Sequence, residues 1–131
     1  MSGDVGPSQN VPDELAGLAA RVPPGWRGWW FGCGPGWVAL LVELGHDLDE
    51  IAPRWSLTQA KSKFAELRFY ATAGSDDKDV RQRFDERIRR AEVESSRTCE
   101  DCGRPGSLWV TPSGWRVTSC QECREAADEE H

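Results

Sequence analysis

Apolar residues follow a helical spacing in the stretch from Trp37 to Ile51. They occupy positions 37, 40, 41, 44, 48 and 51, which is the i, i+3/i+4, i+7 pattern of an amphipathic helix. Pro35 suits the start of such a helix, and Pro53 suits its end. The pattern therefore predicts a helix that buries one face.

A second and clearer helical pattern covers residues 76–96. Apolar or small residues at positions 80, 84, 88, 91 and 95 line one side, and acidic residues gather in the first turn, where the helix dipole favours them. A shorter helix is predicted within residues 11–21, where Leu15 and Leu18 supply an apolar edge.

Residues 55–70 fit two different periods. As a helix, they place apolar residues at positions 57, 60, 64 and 67 on one side. As two strands, they alternate apolar and polar residues at 55 and 57 and again at 67, 69 and 71. Periodicity alone slightly favours the helix, and both interpretations stay open at this point.

Two further runs of alternating residues, 107–111 and 115–119, flank the turn sequence Pro112–Ser113–Gly114 and predict a β-hairpin. Together these elements predict an α+β fold with a C-terminal zinc-ribbon-like hairpin. We expect three parts, listed along the chain: a polar lead over 1–25 with 1–10 disordered, an α+β core over 26–97, and a ribbon-like segment with an acidic tail over 98–131.

Four of the five cysteines form two C-x2-C pairs, Cys99/Cys102 and Cys120/Cys123, with 17 residues between them. This spacing is typical of a zinc site, because each pair directs two thiolates to one side of a metal and two pairs complete a tetrahedron. Gly103 permits the left-handed backbone that ends such a turn. With the hairpin between the pairs, the sequence predicts a zinc ribbon.

Two other interpretations of the cysteine pairs are weaker. Disulfides need an oxidising compartment, and the N-terminus has no basic start and apolar run of an export signal. A thioredoxin-like site needs a single C-x2-C beside a βαβ unit, which the pattern does not contain. We expect one structural Zn²⁺, closed to substrate because protein thiolates fill all four positions. Cys33, the fifth cysteine, is expected to be a buried or loop thiol.

Several motifs occur in a specific order along the chain. They are Gly36–Trp37 with leucines at 40, 41 and 44, then 59–70 (QAKSKFAELRFY), 98–106 (TCEDCGRPG) and 115–123 (WRVTSCQEC). In this order they resemble a family of small, largely uncharacterised bacterial and phage proteins. The resemblance implies strands over 59–70 and a metal site whose last ligand is His in the family and Cys123 here. It implies no activity. The family's Gly–Gly pair falls on Ala65–Glu66, residues that disfavour the positive φ of a tight turn.

Charge and composition narrow the choice of function. The chain has 131 residues and a formal net charge of −6. It has no apolar run long enough to span a membrane and no export signal, so we expect a cytoplasmic protein. Residues 26–97 are neutral, while 1–25 sum to −2 and 98–131 to −4. The acidic total disfavours a general binder of phosphate backbones but leaves room for a local basic patch.

Catalysis finds little support in the sequence. The two histidines, His46 and His131, stand outside any motif, and there is no phosphate-binding glycine loop or G-x-S-x-G. We therefore expect a protein that is not an enzyme.

The leading prediction is a protein-binding module of the inhibitor, immunity or anti-defence type. Four of the seven tryptophans lie within residues 26–37, so Arg27, Trp29 and Trp30 are predicted anchors. Asp47, Asp49 and Glu50, or the acidic residues at the C-terminal end, are predicted to steer a basic partner.

The alternative prediction is a zinc-ribbon protein that binds nucleic acid or acts as a regulator. Three cations interleave with three aromatic rings, as single-strand binding requires, provided that they share a face: Lys61, Lys63 and Arg68 with Phe64, Phe69 and Tyr70. Of these, Lys61, Lys63, Arg68 and Tyr70 are predicted partner-binding residues for either class of partner. The sequence does not indicate an oligomeric state.

Overall fold

The structure is a computed structural model that describes residues 11–26 and 30–129, and it has the α+β fold that the sequence predicts. Within those residues, no helix is both long and apolar enough to cross a membrane. The predicted disorder of residues 1–10 lies outside the described part. The elements, in chain order, are α1 (Ala16–Ala19), β1 (Phe31–Gly32), α2 (Val38–Ile51), β2 (Ser56–Lys63), β3 (Glu66–Thr72), α3 (Lys78–Ser95), β4 (Ser107–Val110), β5 (Arg116–Ser119) and α4 (Gln121–Glu129).

The strands form two separate sheets. The antiparallel hairpin β2–β3 takes up β1 as a short parallel neighbour of β2, which gives the order β1-β2-β3. Strands β4 and β5 pair as the predicted C-terminal hairpin. Residues 55–70 are therefore strands and a turn, and the helical interpretation of this stretch is wrong.

A β-bulge explains why the hairpin sequence resembles a helix. The register of β2 on β3 shifts between Leu57 and Gln59, so one extra residue is inserted there. Leu57 and Ala60, which are three positions apart, are consequently both fully buried. An undisturbed strand would bury residues two or four apart, so the bulge produces the spacing of a helix within a strand.

Helices α2 and α3 pack against each other, and α3 packs against β3, so the core lies between the helix pair and the three-stranded sheet. Aromatic rings fill its centre: the Trp55 ring lies 6.1 Å from the rings of both Phe69 and Phe84. The predicted stripe of α2 is confirmed, because its leucines at 41, 44 and 48 have no exposed surface.

The N-terminal segment belongs to this core from Val11 onward. Leu15 and Leu18 are buried against it, as the predicted apolar edge requires. Arg21 fastens the segment to the end of α2, because its guanidinium donates to Asp49 at 2.8 Å and lies 5.2 Å from the Trp55 ring centre. The expected boundary near residue 25 therefore does not separate a polar lead from the core.

Side chains of α3 close the outer edge of β3. The Leu67 N–H donates to Ser95 Oγ at 2.8 Å, and the Phe69 N–H donates to Glu92 Oε2 at 3.2 Å. An unpaired strand edge invites pairing with another chain, and these two bonds satisfy donors that would otherwise be free for it. These hydrogen bonds also fix the position of α3 along β3.

Ion pairs inside the fold use two of the acidic residues predicted to steer a partner. Arg87, whose side chain is 5% exposed, donates to Asp47 at 2.6 Å and ties α3 to α2. Asp49 accepts from both Arg21 and the Trp55 indole N–H at 2.8 Å. The structure thus engages both aspartates in holding elements together.

The turn between β2 and β3 has an unusual backbone. Phe64 and Ala65 adopt φ of +53° and +69°, a region that glycine, asparagine and aspartate normally occupy in hairpin turns. The positive φ angles fall one residue earlier than the Ala65–Glu66 position expected from the resemblance. Left-handed backbone costs an L-residue roughly 1–2 kcal/mol, so this turn stores strain.

We predict that glycine is tolerated better at position 65 than at position 60. Both alanines are buried in the same hairpin, but only Ala65 has a positive φ. Ala65→Gly loses a methyl group and gains relief of strain, whereas Ala60→Gly loses a methyl group and gains nothing. In chemical denaturation, Ala65→Gly should be more stable than Ala60→Gly by about 1 kcal/mol. Equal losses in the two variants would show that the turn is unstrained.

Candidate metal centre

The structure brings the four predicted ligand cysteines together. Cys99 and Cys102 lie in the turn after α3, and Cys120 and Cys123 lie at the start of α4. Their sulfur atoms all lie within 4.8 Å of one another, and those of Cys102 and Cys120 are 3.5 Å apart. Zn–S bonds of about 2.3 Å give a tetrahedron with edges of about 3.8 Å, so four thiolates at these positions fit a metal ion after a contraction of about 1 Å.

Backbone hydrogen bonds shape the first cysteine pair into a compact knuckle. The Cys99 N–H donates to the Arg104 carbonyl at 2.7 Å, and the Gly103 N–H donates to the Cys99 carbonyl at 2.9 Å. Gly103 has φ of +83°, as the sequence predicts for the exit from the turn. The fold therefore sets the geometry of this pair locally.

The cluster favours thiolate at Cys99 above all. Burial opposes ionisation of this thiol, but N–H groups of the Cys102, Cys120 and Asp101 backbone outweigh burial and lower its pKa to about 6. Hydrogen bonding to the Cys120 sulfur, followed by burial, raises the pKa of Cys123. The neighbouring thiols thus oppose ionisation of Cys123, and a bound divalent cation would allow all four thiols to ionise together.

Glu100, inside the knuckle, joins the cysteine cluster to the core. Its carboxylate accepts from the Gly34 N–H at 2.9 Å and from the Ser62 hydroxyl at 2.8 Å. Its carbonyl accepts from the Gly36 N–H at 2.7 Å, and its own N–H donates to the Thr118 carbonyl at 2.9 Å. One residue therefore contacts the start of α2, strand β2 and strand β5.

Close packing reinforces this junction. The buried Trp37 donates its indole N–H to the Thr98 carbonyl at 2.9 Å. A Cβ added to Gly36 would overlap the Cys99 carbonyl and lie 2.6 Å from the Gly103 nitrogen. The glycine is thus required where the core backbone meets the knuckle.

Cys33 lies outside the four-cysteine cluster, as predicted. It is partly buried against the core. Burial, with the charge of Glu100 as a smaller cause, raises the pKa of the Cys33 thiol to about 12. The thiol therefore stays neutral at physiological pH.

The predicted anchors of the tryptophan-rich segment have different outcomes. Arg27 and Trp29 lie outside the described residues. Trp30 is only 6% exposed, and its ring lies 5.6 Å from the Phe31 ring within the core. Trp30 is therefore a core residue and does not form an exposed anchor, which corrects the prediction for this residue. The cause is the pairing of β1 with β2, which covers this part of the segment.

The other four predicted partner-binding residues share one face of the β2–β3 hairpin. Lys61 pairs with Arg68, and Lys63 pairs with Glu66, so these side chains lie on the side opposite the buried Ala60–Phe69 pair. Tyr70, two residues after Arg68, is 47% exposed on the same side, with the Lys61 ammonium 5.8 Å from its ring centre. The name basic face is used below for Lys61, Lys63, Arg68 and Tyr70.

Phe64, Trp115 and Arg116 extend this surface; the sequence indicated Phe64 as a stacking ring and gave no such role to the other two. Phe69, another predicted stacking ring, is 5% exposed and belongs to the core, which corrects that prediction. Phe64 is 62% exposed at the tip of one hairpin, and Trp115 is 73% exposed at the tip of the other. The cations of Lys63 and Arg116 lie 5.5 and 5.9 Å from the Phe64 ring centre. Trp115 and Arg116 follow Gly114, and this glycine predicts a hairpin turn with exposed residues beside it. Nothing in the sequence predicts that this turn lies close to Phe64.

A cleft of about 690 Å³ lies between the two tips. Residues 62–64 line one side, residues 114–117 line the other, and Glu100 completes the lining. This tip cleft is bounded by the core hairpin on one side and by the ribbon hairpin on the other.

We predict that metal occupancy controls which thiols react. Reduced, purified protein should hold one metal ion per chain, and none of its five thiols should react quickly with an alkylating reagent at pH 8. Four are ligands, and a Cys33 thiol with a pKa of about 12 is ionised at that pH to about one part in ten thousand. A chelator should release the ion and make four thiols reactive, with Cys33 slower. Four reactive thiols before chelation would contradict the metal site.

We also predict that Gly36→Ala destabilises the protein and weakens metal binding together. The added methyl group meets backbone atoms of the knuckle that cannot move aside, so a loss of roughly 1–3 kcal/mol is expected. Gly17→Ala in α1 is the matched control, because a Cβ there meets nothing within 4 Å. Unfolding by denaturant and competition for the metal with a chromophoric chelator provide the two measurements. Equal behaviour of the two variants would argue against a tight junction.

Comparison of the chain with known protein families, with curated proteins and with solved structures finds no match in any of the three. The resemblance described above therefore stays a prediction.

Proposed function

We propose that the four-cysteine site holds Zn²⁺ and that the ion has a structural role. Four thiolates in a tetrahedral arrangement are the donor set of structural zinc sites, and soft sulfur ligands exclude Mg²⁺ and Ca²⁺. All four positions are taken by cysteines, which leaves none for a substrate or a catalytic water. Metal analysis of the purified protein distinguishes zinc, the expected ion, from iron, which the same ligands also accept.

The protein's proposed role is that of a non-catalytic module that binds a partner protein through the basic face. The observation that carries this proposal is the common location of Lys61, Lys63, Arg68 and Tyr70 on one exposed side of the hairpin. Tyrosine and arginine, here Tyr70 and Arg68, are among the residue types enriched in the energetically dominant positions of interfaces, and the two lysines add charge that attracts an acidic surface. Such a module acts by covering part of its partner, which is also how an inhibitor, immunity or anti-defence protein works.

The charge distribution indicates an acidic partner surface rather than a basic one. Asp47 and Asp49, two of the residues expected to steer a basic target, are held in ion pairs with Arg87 and Arg21. The basic face instead presents three cations, with Glu66 as the acidic side chain paired beside Arg68. Complementary charge on a partner would speed the encounter and fix its orientation.

Single-stranded nucleic acid is the second candidate partner. The observation that favours it is the position of Lys61, within 5.8 Å of the Tyr70 ring centre, because single-strand binders pair a stacking ring with a phosphate-binding cation. The net charge of −6 opposes any acidic partner, and it opposes a long phosphate chain, with a charge at every nucleotide, more strongly than a short acidic surface. The acidic protein partner therefore remains the first choice.

Charge reversal on the basic face tests this proposal. In affinity capture from host extract, the wild type should retain a stoichiometric protein, and Lys61→Glu/Arg68→Glu should lose at least about 90% of it, as expected for two interface charges. Lys78→Glu/Arg81→Glu makes the same change in net charge on exposed residues of α3 and should behave as wild type.

The material captured decides between the candidates. A protein that survives nuclease treatment supports the proposal. Capture of nucleic acid alone, lost after nuclease treatment, would replace it by the second candidate. Equal capture by all three proteins would show that the basic face binds neither.

A further inference from the structure

The tip cleft combines two features that folding alone does not explain. Phe64 exposes 62% of its surface, and Trp115 exposes 73%. Large aromatic side chains gain stability by burial, and both of these residues stand in solvent beside a cleft large enough for a side chain or two. Their exposure indicates that something else covers them.

Backbone strain at Phe64 is an independent observation that points the same way. The residue adopts φ of +53°, where asparagine or glycine would be relaxed. Strained residues persist where the surrounding structure holds them, and they cluster at sites of binding. Here the support comes from the ribbon, because the Thr118 hydroxyl donates to the Ala65 carbonyl at 2.5 Å. The strained turn holds the Phe64 ring at the mouth of the cleft.

Charge around the cleft defines the chemistry of its occupant. Lys63 and Arg116 flank the Phe64 ring from the two sides of the cleft. Outside the lining itself, Val110, the cross-strand neighbour of Arg116, is 53% exposed, and Leu108 in the same strand is 60% exposed. The lining also includes the Glu100 carboxylate, which accepts hydrogen bonds from the Gly34 N–H and the Ser62 hydroxyl. The two cations beside the Phe64 ring match carboxylates that flank an apolar side chain.

We propose that the tip cleft binds an acidic segment of a partner protein, with an apolar side chain seated between Phe64 and Trp115 and carboxylates meeting Lys63 and Arg116. This inference rests on the proposed function and adds the anchoring site and the kind of sequence that occupies it. The Phe64 and Trp115 rings suit an apolar side chain. A short acidic segment places few charges near Glu100, whereas a continuous phosphate chain carries a charge at every nucleotide and is repelled more strongly by Glu100 and by the overall charge of −6.

Binding at the cleft should depend on the metal. One side of the cleft belongs to the ribbon and the other to the core hairpin, and two side-chain bonds hold them in register: Thr118 to Ala65 and Ser62 to Glu100. Loss of the ion frees the knuckle that contains Glu100, so the sides of the cleft would separate.

Selection from a displayed library of random peptides on the metal-loaded full chain tests the proposal. The wild type should enrich peptides in which Asp or Glu flank Leu, Phe or Trp. The same peptides should not be retained when the library is selected on Phe64→Asn or on Trp115→Ala. Trp26→Ala is the matched control, because Trp26 is 47% exposed and lies outside the cleft lining. An enriched peptide, fluorescently labelled, then serves as the probe for affinity measurements.

Phe64→Asn separates binding from folding. Asparagine suits the left-handed turn, so this variant should be at least as stable as wild type and yet bind the labelled peptide about tenfold or more weakly, the effect of losing an interface anchor. Trp115→Ala should weaken binding similarly, Trp26→Ala should leave it unchanged, and a chelator should abolish it.

Each other outcome has a defined meaning. Wild-type affinity in Phe64→Asn, enrichment of basic or uncharged peptides, or displacement of the peptide by oligo-dT would overturn the inference. If binding is lost in Lys61→Glu/Arg68→Glu but kept in both tip variants, the cleft proposal fails while the proposed function stands. If no peptide is enriched on the wild type relative to Phe64→Asn, and the wild type also captures no protein through the basic face, both proposals fail.

Discussion

The hydrogen bonds of Glu100 are the constraint on which the arrangement of the molecule depends. This residue lies between two ligand cysteines, and its side chain and backbone bond to Gly34, Gly36, Ser62 and Thr118. A C-x2-C turn by itself fixes only the direction of two sulfur atoms. Because the residue inside this turn also holds the start of α2 and the strand β2, the cysteine cluster and the core are assembled as a single unit. The positions of both hairpin tips follow from that junction.

The small buried area of the ribbon hairpin explains why a metal ion would suit this chain. The ribbon hairpin has only two strands of four residues, and half of these residues are exposed, so it buries too little apolar surface to be stable alone. Binding free energy at a structural zinc site is also folding free energy, on the order of 10 kcal/mol in small domains. A metal ion at the cysteine cluster would therefore stabilise the ribbon as the leucine and aromatic core stabilises the rest.

Local patterns in the sequence were sufficient for some elements and insufficient for others, for physical reasons. The apolar stripes of α2 and α3 and the cysteine spacing are local, and each was predicted correctly. The β2–β3 hairpin was ambiguous because a bulge placed Leu57 and Ala60 at a helical spacing and because its turn lacks glycine. The burial of Trp30 depends on pairing with β2, some thirty residues away. The meeting of Phe64 with Arg116 joins parts of the chain still further apart, which no local period can reveal.

The strained turn shows how stability and surface chemistry are balanced in this fold. An Asn-Gly pair at positions 64 and 65 would satisfy the left-handed backbone without strain, and the chain has Phe and Ala there instead. Ala65 is buried and bonded to Thr118 of the ribbon, so the strain is offset by a contact that exists only when the ribbon is in place. Phe64 then extends into solvent between two cations. A sequence under selection for stability alone has no reason to keep an exposed phenylalanine at a strained position, so the conflict at this turn is itself the argument that the surface is used.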